Sequence, residues 1–176
     1  MDTSAVGAGR GSWSPDGWTY NGKVGVPRED VVQIVRRSAI IMPVNVPKFL
    51  EKAWTRGADA VVLDLEDSVT LSHKSSARAM VKDAIPVVAK GGADVLVRIN
   101  KPFDMAVKDL DASIWPGLAG IRFPKTESAE EIRILDRLIA EREMARDMPV
   151  GTVQISVGIE TALGLRDRAM LETLYA

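Results

Sequence analysis

The chain contains no cysteine and a single histidine, His73, among its 176 residues. Without cysteine there is no disulfide, no thiolate zinc ligand and no thiol nucleophile. One histidine excludes a histidine-rich metal site and a repeated histidine relay. The lack of disulfides favours a reducing compartment, so we expect a cytoplasmic protein.

Long apolar runs and a strong net charge are also absent. No apolar stretch approaches the ~20 residues that a bilayer-spanning helix needs. Residues 1–4 lack the basic segment and apolar core of a signal peptide. The formal net charge of -1 gives no electrostatic reason to bind nucleic acid or an anionic membrane. We therefore expect a globular protein that binds neither.

Residues 1–30 differ in composition from the rest, because glycine, serine and proline dominate them. Trp13, Trp18 and Tyr20 are the exceptions. Two interpretations stay open for this segment: a flexible tail, or an arm that docks its aromatic side chains on the domain or on a neighbouring subunit.

Residues 31–176 alternate between strand and helix patterns, which predicts one domain with a parallel sheet. The predicted strands are 38–44, 60–65, 95–99, 119–123 and 153–159. The predicted helices are 47–56, 72–90, 105–112, 128–146 and one that begins at 163. Pro86 predicts a break in the second helix, Gly91 and Gly92 predict its end, and Ser128 is a predicted N-cap.

Both a doubly wound sheet and a (β/α)₈ barrel fit this alternation, but no Gly-x-Gly-x-x-Gly motif follows a strand, which lowers the dinucleotide-binding option. Charged residues instead follow successive strands, namely Glu66, Asp67, Arg98, Lys125 and Glu160. Because the carboxyl ends of barrel strands face the active site, we expect a barrel whose rim binds an anionic substrate and a divalent metal.

A complete (β/α)₈ barrel has eight βα units and takes about 250 residues. This chain has 176 residues, in which five βα units are recognisable. Three interpretations remain: a truncated barrel, which we prefer; strand edges completed by another copy; or an open sheet. The third interpretation leaves the first and fifth strands with unpaired edges, which are prone to aggregate.

Five segments, in order, resemble the citrate lyase β-subunit and malyl-CoA lyase family of the HpcH/HpaI aldolase type. They are Arg-Ser-Ala-Ile-Ile-Met-Pro at 37–43, the Leu-Glu-Asp-Ser segment within 57–69, Val-Arg-Ile-Asn at 97–100, Phe-Pro-Lys-Thr-Glu within 120–128, and Ile-Glu-Thr-Ala-Leu-Gly at 159–164. The resemblance covers residue 37 to the end.

The resemblance implies a (β/α)₈ barrel that uses Mg²⁺ to cleave or form a carbon–carbon bond in an acyl-CoA thioester, such as citryl-CoA or malyl-CoA, with release of a small 2-oxo acid. It implies a homo-oligomer, a trimer or hexamer. Arg98 corresponds to the arginine that binds a substrate carboxylate, and Glu160 to a metal ligand. Glu66 and Asp67 lie beside the metal and its waters. We expect Arg98, Glu66 and Asp67 to be catalytic, and Glu160 and Lys125 to contact substrate; Lys125 is alternatively an ion-pairing or positioning residue. The second metal ligand, an aspartate, is expected beyond residue 176.

The sequence departs from the family where Gly-Asn-Arg-Pro usually follows the first strand, because it reads Val44-Asn45-Val46-Pro47. The glycine and the arginine through which the family's loop would contact coenzyme A are thus both replaced. Three alternatives stay open: a 2-oxo-acid aldolase that does not use CoA; an incomplete barrel that serves as a binding or assembly module, which the missing second ligand and the open strand edges also favour; or an imine-forming aldolase through Lys125. Arg98 is alternatively an ion-pair partner of Glu66 or Asp67, and Glu160 a helix-capping residue.

Overall fold

The computed structural model describes residues 12–14, 17–19 and 35–166, and the chain divides into two units, Met1–Val35 and Arg36–Ala176. In the first unit, β1 (Ser12–Ser14) and β2 (Gly17–Thr19) pair antiparallel, with Trp13 opposite Trp18. The predicted arm therefore contains a short two-stranded ribbon. Tyr20 and the remainder of the arm lie outside the described residues.

The second unit is built on a five-stranded parallel sheet with helices between successive strands. Its strands are β3 (Ala39–Pro43), β4 (Ala60–Asp64), β5 (Asp94–Arg98), β6 (Gly120–Phe123) and β7 (Gln154–Val157). Its helices are α1 (Pro47–Ala53), α2 (Lys74–Val88), α3 (Phe103–Ser113), α4 (Ala129–Ala145) and α5 (Ala162–Arg166). None of the helices described is long and apolar enough to cross a membrane.

The strand order decides between the two predicted architectures. Each strand pairs with the next one in sequence, from β3 to β7, without the reversal that defines a doubly wound sheet. Sequential parallel pairing is the arrangement of a (β/α)₈ barrel. The prediction of five barrel-type βα units is confirmed.

Two helix predictions had different outcomes. Ser128 is the N-cap of α4, and its hydroxyl accepts the backbone N–H of Glu131. The predicted break at Pro86 is wrong, because α2 continues through it to Val88. Pro86 is exposed, while Ile85 and Val88 on either side are buried. Their burial offsets the backbone hydrogen bond that the proline removes.

The end of the second helix is as predicted. A short 3₁₀ turn, Ala89–Gly91, follows α2, and Gly92 adopts a φ of +81°. This left-handed conformation favours glycine because it has no Cβ. The fifth predicted helix begins at Ala162, and its continuation beyond Arg166 lies outside the described residues.

Side chains alternate between the two faces of the sheet, as they do in any strand. One face packs against the helices and forms the main core, with Leu63, Val97, Ile121 and Phe123 fully buried. The opposite face carries a smaller apolar cluster of Ala60, Val62 and Leu96. We call this second surface the inner face, since it corresponds to the interior of a barrel.

We predict that Leu63→Ala lowers the free energy of unfolding by about 2–5 kcal/mol, because Leu63 has no exposed area in the central strand β4. Leu71→Ala is the matched control, since 79% of Leu71 is exposed, and we expect a change within about 0.5 kcal/mol. Urea denaturation followed by circular dichroism measures both. Equal effects of the two substitutions would contradict this placement of the core.

Candidate active site

An ion pair joins the carboxyl ends of β4 and β5. Asp64 and Arg98 are the last residues of these strands and are paired in register, so both side chains lie on the inner face. Arg98 donates from Nε to Asp64 Oδ1 and from Nη2 to Oδ2, both at 2.7 Å. The Asp64 side chain is 1% exposed and that of Arg98 16%. The pair is bidentate and buried.

Asp64 also organises the loop that follows β4. It accepts hydrogen bonds from the backbone N–H groups of Glu66 at 2.9 Å and Ser68 at 3.0 Å, and from the Ser68 hydroxyl. Burial by itself raises the pKa of Asp64, but the hydrogen bonds from Arg98, Ser68 and the backbone outweigh it and hold the pKa at about 2. Asp64 is therefore a carboxylate at neutral pH. Its hydrogen bond in turn raises the pKa of Arg98.

Glu66 bridges two cations at the same end of the sheet. Lys125 donates from Nζ to Glu66 Oε1 at 2.6 Å, and Arg98 Nη1 lies 3.1 Å from Glu66 Oε2. The hydrogen bond to Glu66 raises the pKa of Lys125. A lysine that forms an imine needs a lowered pKa, so this environment disfavours the imine-forming alternative.

Asp67 lies at the outer edge of the cluster. Its carboxylate is 3.5 Å from Arg98 Nη1 and 3.6 Å from Lys125 Nζ, and 64% of the side chain is exposed. Surface ion pairs at such distances contribute little to stability. Asp67 is thus freer than Glu66 to interact with a ligand.

Glu160 follows β7 and its side chain is exposed. Among the contacts of residues 35–166, its carboxylate forms no hydrogen bond and no ion pair, although its charge raises the pKa of Lys125. Glycine at position 158 leaves room for it, because a Cβ there would lie 2.3 Å from Glu160 Oε1. Glu160 is an unpaired carboxylate close to the cluster.

The structure thus joins four of the predicted site residues by direct contacts: Arg98, Glu66, Asp67 and Lys125. It brings Glu160 near Lys125 without a contact. Within the described part of the chain, no group of three acidic or histidine side chains is arranged to hold a metal ion. Mg²⁺ needs only one or two carboxylates, with water and substrate oxygens as its other ligands. The unpaired Glu160 and the exposed Asp67 have the chemistry that this ion requires.

A buried network of polar side chains holds the backbone of Leu65 and Glu66 in place. Lys74 donates from Nζ to the carbonyls of Leu65 and Glu66, both at 2.6 Å, and Asn100 Nδ2 donates to the Leu65 carbonyl at 3.0 Å. Asn100 is held in turn by the buried Asp109 at 2.6 Å. Burial lowers the pKa of Lys74, and nearby carboxylates oppose this effect.

Asp64 and Lys74 are not among the site residues predicted from the sequence. Glu66 and Asp67 are predicted ion-pair partners of Arg98, and both contacts exist, but the principal partner is Asp64. An aspartate within a buried strand is itself a signal, since it is rarely buried unless paired. Lys74 gives no comparable signal, because a lysine in a helix is expected to be exposed.

The fold and this cluster define a barrel-type α/β protein with an acid–arginine–lysine site at the carboxyl ends of its strands. The chain belongs to the HpcH/HpaI aldolase/citrate lyase family, whose sequence profile matches residues 37–170.

Two curated relatives illustrate the range of the family. Over 134 residues the chain is 38% identical to the citrate lyase subunit beta of Leuconostoc mesenteroides subsp. cremoris, with 74% of this chain and 44% of that protein covered. It is 35% identical over 135 residues to the L-malyl-CoA/beta-methylmalyl-CoA lyase of Cereibacter sphaeroides, with 73% and 42% covered. The chain therefore spans less than half the length of these relatives.

Solved structures show the same fold. A citrate lyase beta subunit from M. tuberculosis, complexed with oxaloacetate and magnesium, matches with a TM-score of 0.51 and 27% identity over 72% of this chain and 48% of that one. A Haloferax volcanii malate synthase matches with a TM-score of 0.67 over 75% and 44%, at 19% identity. The second likeness supports the fold alone.

We predict that Asp64→Asn removes part of the acid sensitivity of the protein. The folded-state pKa of about 2 lies below the unfolded value of 3.8, so the carboxylate stabilises the fold above about pH 4 and loses this contribution as the pH falls toward 2. The shift corresponds to about 2 kcal/mol at neutral pH. Urea denaturation at a series of pH values should show the two proteins converging below pH 4. A constant difference over this range would refute the assignment.

Proposed function

We propose that this protein is a Mg²⁺-dependent carbon–carbon lyase that acts on an acyl-CoA thioester, such as citryl-CoA or malyl-CoA, and releases a small 2-oxo acid. One observation carries the proposal: Asp64 anchors Arg98 through Nε and Nη2, while Arg98 Nη1 lies beside Glu66 and the exposed Asp67 at the carboxyl ends of the strands. The names of the curated relatives support the same reaction class.

Arg98 binds the carboxylate of the 2-oxo acid in this proposal. Asp64 occupies the edge formed by Nε and Nη2, so a substrate carboxylate approaches the end formed by Nη1 and Nη2. It then competes with Glu66 and Asp67 for Nη1. Lys125 keeps Glu66 paired when this happens, so that the displaced acid is not left buried without a partner.

Glu160 is the proposed metal ligand, with Asp67 as the nearest acid to the metal-bound waters. Mg²⁺ at this position would polarise the carbonyl of the 2-oxo acid and stabilise the negative charge that develops as the carbon–carbon bond changes. Lys125 binds Glu66 and is influenced by the charge of Glu160, and it would contribute a second positive charge toward an anionic substrate.

We retain a binding or assembly module as the second candidate. Two observations favour it. Glu160 is the one predicted metal ligand among the described residues. Large apolar side chains are exposed on the edge strand β3 and on α1, with Ile41 49% and Phe49 45% accessible. A 2-oxo-acid aldolase that does not use CoA remains compatible with the Val44–Pro47 loop. Division into an arm (1–30) and a barrel domain (31–176), and assembly into a trimer or hexamer, are also proposals.

We predict saturable binding of pyruvate that requires MgCl₂ and is lost in Glu160→Gln, because the amide removes the negative charge that a hard cation requires. Isothermal titration calorimetry with and without MgCl₂ measures it. Glu141→Gln is the matched control, since the Glu141 side chain on α4 is 67% exposed and its ion-pair partner is Arg142, at 4.0 Å, outside the cluster. Absence of metal-dependent binding by the unaltered protein would exclude the lyase and favour the module. Release of a 2-oxo acid from malyl-CoA or citryl-CoA then tests turnover.

We predict that Arg98→Lys weakens pyruvate binding by at least about tenfold, while retaining most of the stability. Lysine supplies one charge to Asp64 but cannot hold Asp64 and a substrate carboxylate in two planar contacts at once. Arg98→Ala is less informative, because it leaves Asp64 buried without its principal partner, a change that costs about 3–5 kcal/mol. Arg133→Lys, at an exposed position of α4, controls for the chemical change. Unchanged affinity in Arg98→Lys would remove Arg98 from the binding site.

A further inference from the structure

Arg122 lies next to Arg98 on the inner face of the sheet. The two residues are paired in register between β5 and β6, and Arg122 is paired with Ser156 of β7 on its other side. Neighbouring parallel strands are about 4.8 Å apart, so residues in register share one local surface. The Arg122 side chain is half-buried.

Arg122 has no hydrogen-bond or ion-pair partner among the residues that the structure describes. Three other partly buried arginines each pair with an acid: Arg36 with Asp94 at 2.7 Å, Arg78 with Asp109 at 2.6 Å and Arg142 with Asp111 at 2.8 Å. A guanidinium that is partly desolvated and placed beside a like charge is unfavourable without an anion.

The acids around Arg98 do not supply that anion. Asp64 is engaged by Arg98 and by the loop, and Glu66 by Arg98 and Lys125. The remaining position for an anion beside Arg122 is the space in front of the inner face, next to Arg98, where a substrate carboxylate competes with Glu66 and Asp67 for Nη1.

We propose that Arg122 binds a second carboxylate of the substrate and makes the site selective for a dicarboxylic 2-oxo acid over a monocarboxylic one. This inference rests on the proposed function, because it places the first carboxylate on Arg98. Two adjacent guanidinium groups on one face match two carboxylates separated by a short carbon chain.

Oxaloacetate and pyruvate are the appropriate probes, because they differ by one carboxylate. We expect the unaltered protein with MgCl₂ to bind freshly prepared oxaloacetate at least about tenfold more tightly than pyruvate in calorimetric titrations. In Arg122→Met the affinity for oxaloacetate falls to that for pyruvate, while pyruvate binding is unchanged. Arg122→Lys retains part of the preference. Arg133→Met, which removes an exposed arginine of α4, leaves both affinities unchanged.

The possible outcomes distinguish a failure of the role of Arg122 from a failure of the proposed lyase function. If the unaltered protein binds neither acid, the proposed function fails and the inference fails with it. If it binds pyruvate with Mg²⁺ but shows no preference for oxaloacetate, or if Arg122→Met keeps the preference, only the role of Arg122 is overturned. Equal weakening of both acids in Arg122→Met indicates a structural role and also overturns it. Should Arg122→Met fail to fold, Arg122→Lys carries the same comparison, and an undiminished preference there contradicts a planar two-point contact.

Discussion

The bidentate pair between Asp64 and Arg98 is the interaction on which the rest of the site depends. Burying two charges costs more than their attraction returns unless the geometry is good and the remaining hydrogen-bonding positions are filled. Here the Asp64 carboxylate accepts from Arg98, from two backbone N–H groups and from the Ser68 hydroxyl. The pair also fixes the register of β4 against β5, since a slip of one residue would turn Arg98 toward the apolar core beneath the helices.

This pair shows that the structural and functional interpretations of Arg98 are compatible. A free arginine at the rim would sample many rotamers and lose that freedom when substrate binds. In the proposed function, Asp64 would remove this cost in advance by holding one edge of the guanidinium, while Nη1 lies beside Glu66 and Asp67. Lys74 and Asn100 likewise hold the backbone in place, because they donate hydrogen bonds to the carbonyls of the two residues before Asp67. The loop is therefore ordered from both sides before any ligand arrives.

The sequence predicted the architecture well, because continuous apolar strands and amphipathic helices leave a strong periodic signal. It predicted the convergence of Arg98, Glu66, Asp67 and Lys125 because parallel strands place their carboxyl ends at one edge. The sequence did not predict the role of Asp64, because the sheet face on which an acid lies depends on the residue at which the strand ends. An error of one residue in that end moves the side chain to the opposite face. The prediction failed at Pro86 since the burial of neighbouring side chains, which the local propensity does not include, holds the helix together.

The engagement of Glu66 limits the part it plays in the chemistry. A general base needs an accessible lone pair, whereas the Glu66 side chain is 7% exposed. Lys125 Nζ lies 2.6 Å from its Oε1, and Arg98 Nη1 lies 3.1 Å from its Oε2. Glu66 is thus better suited to hold Arg98 and Lys125 in place than to accept a proton. Asp67 and Glu160 keep exposed carboxylates, so the groups that are free to contact a metal ion, its waters or the substrate lie at the outer edge of the cluster. The buried acids Asp64 and Glu66 set the positions of the cations, and the exposed acids Asp67 and Glu160 remain available for a ligand.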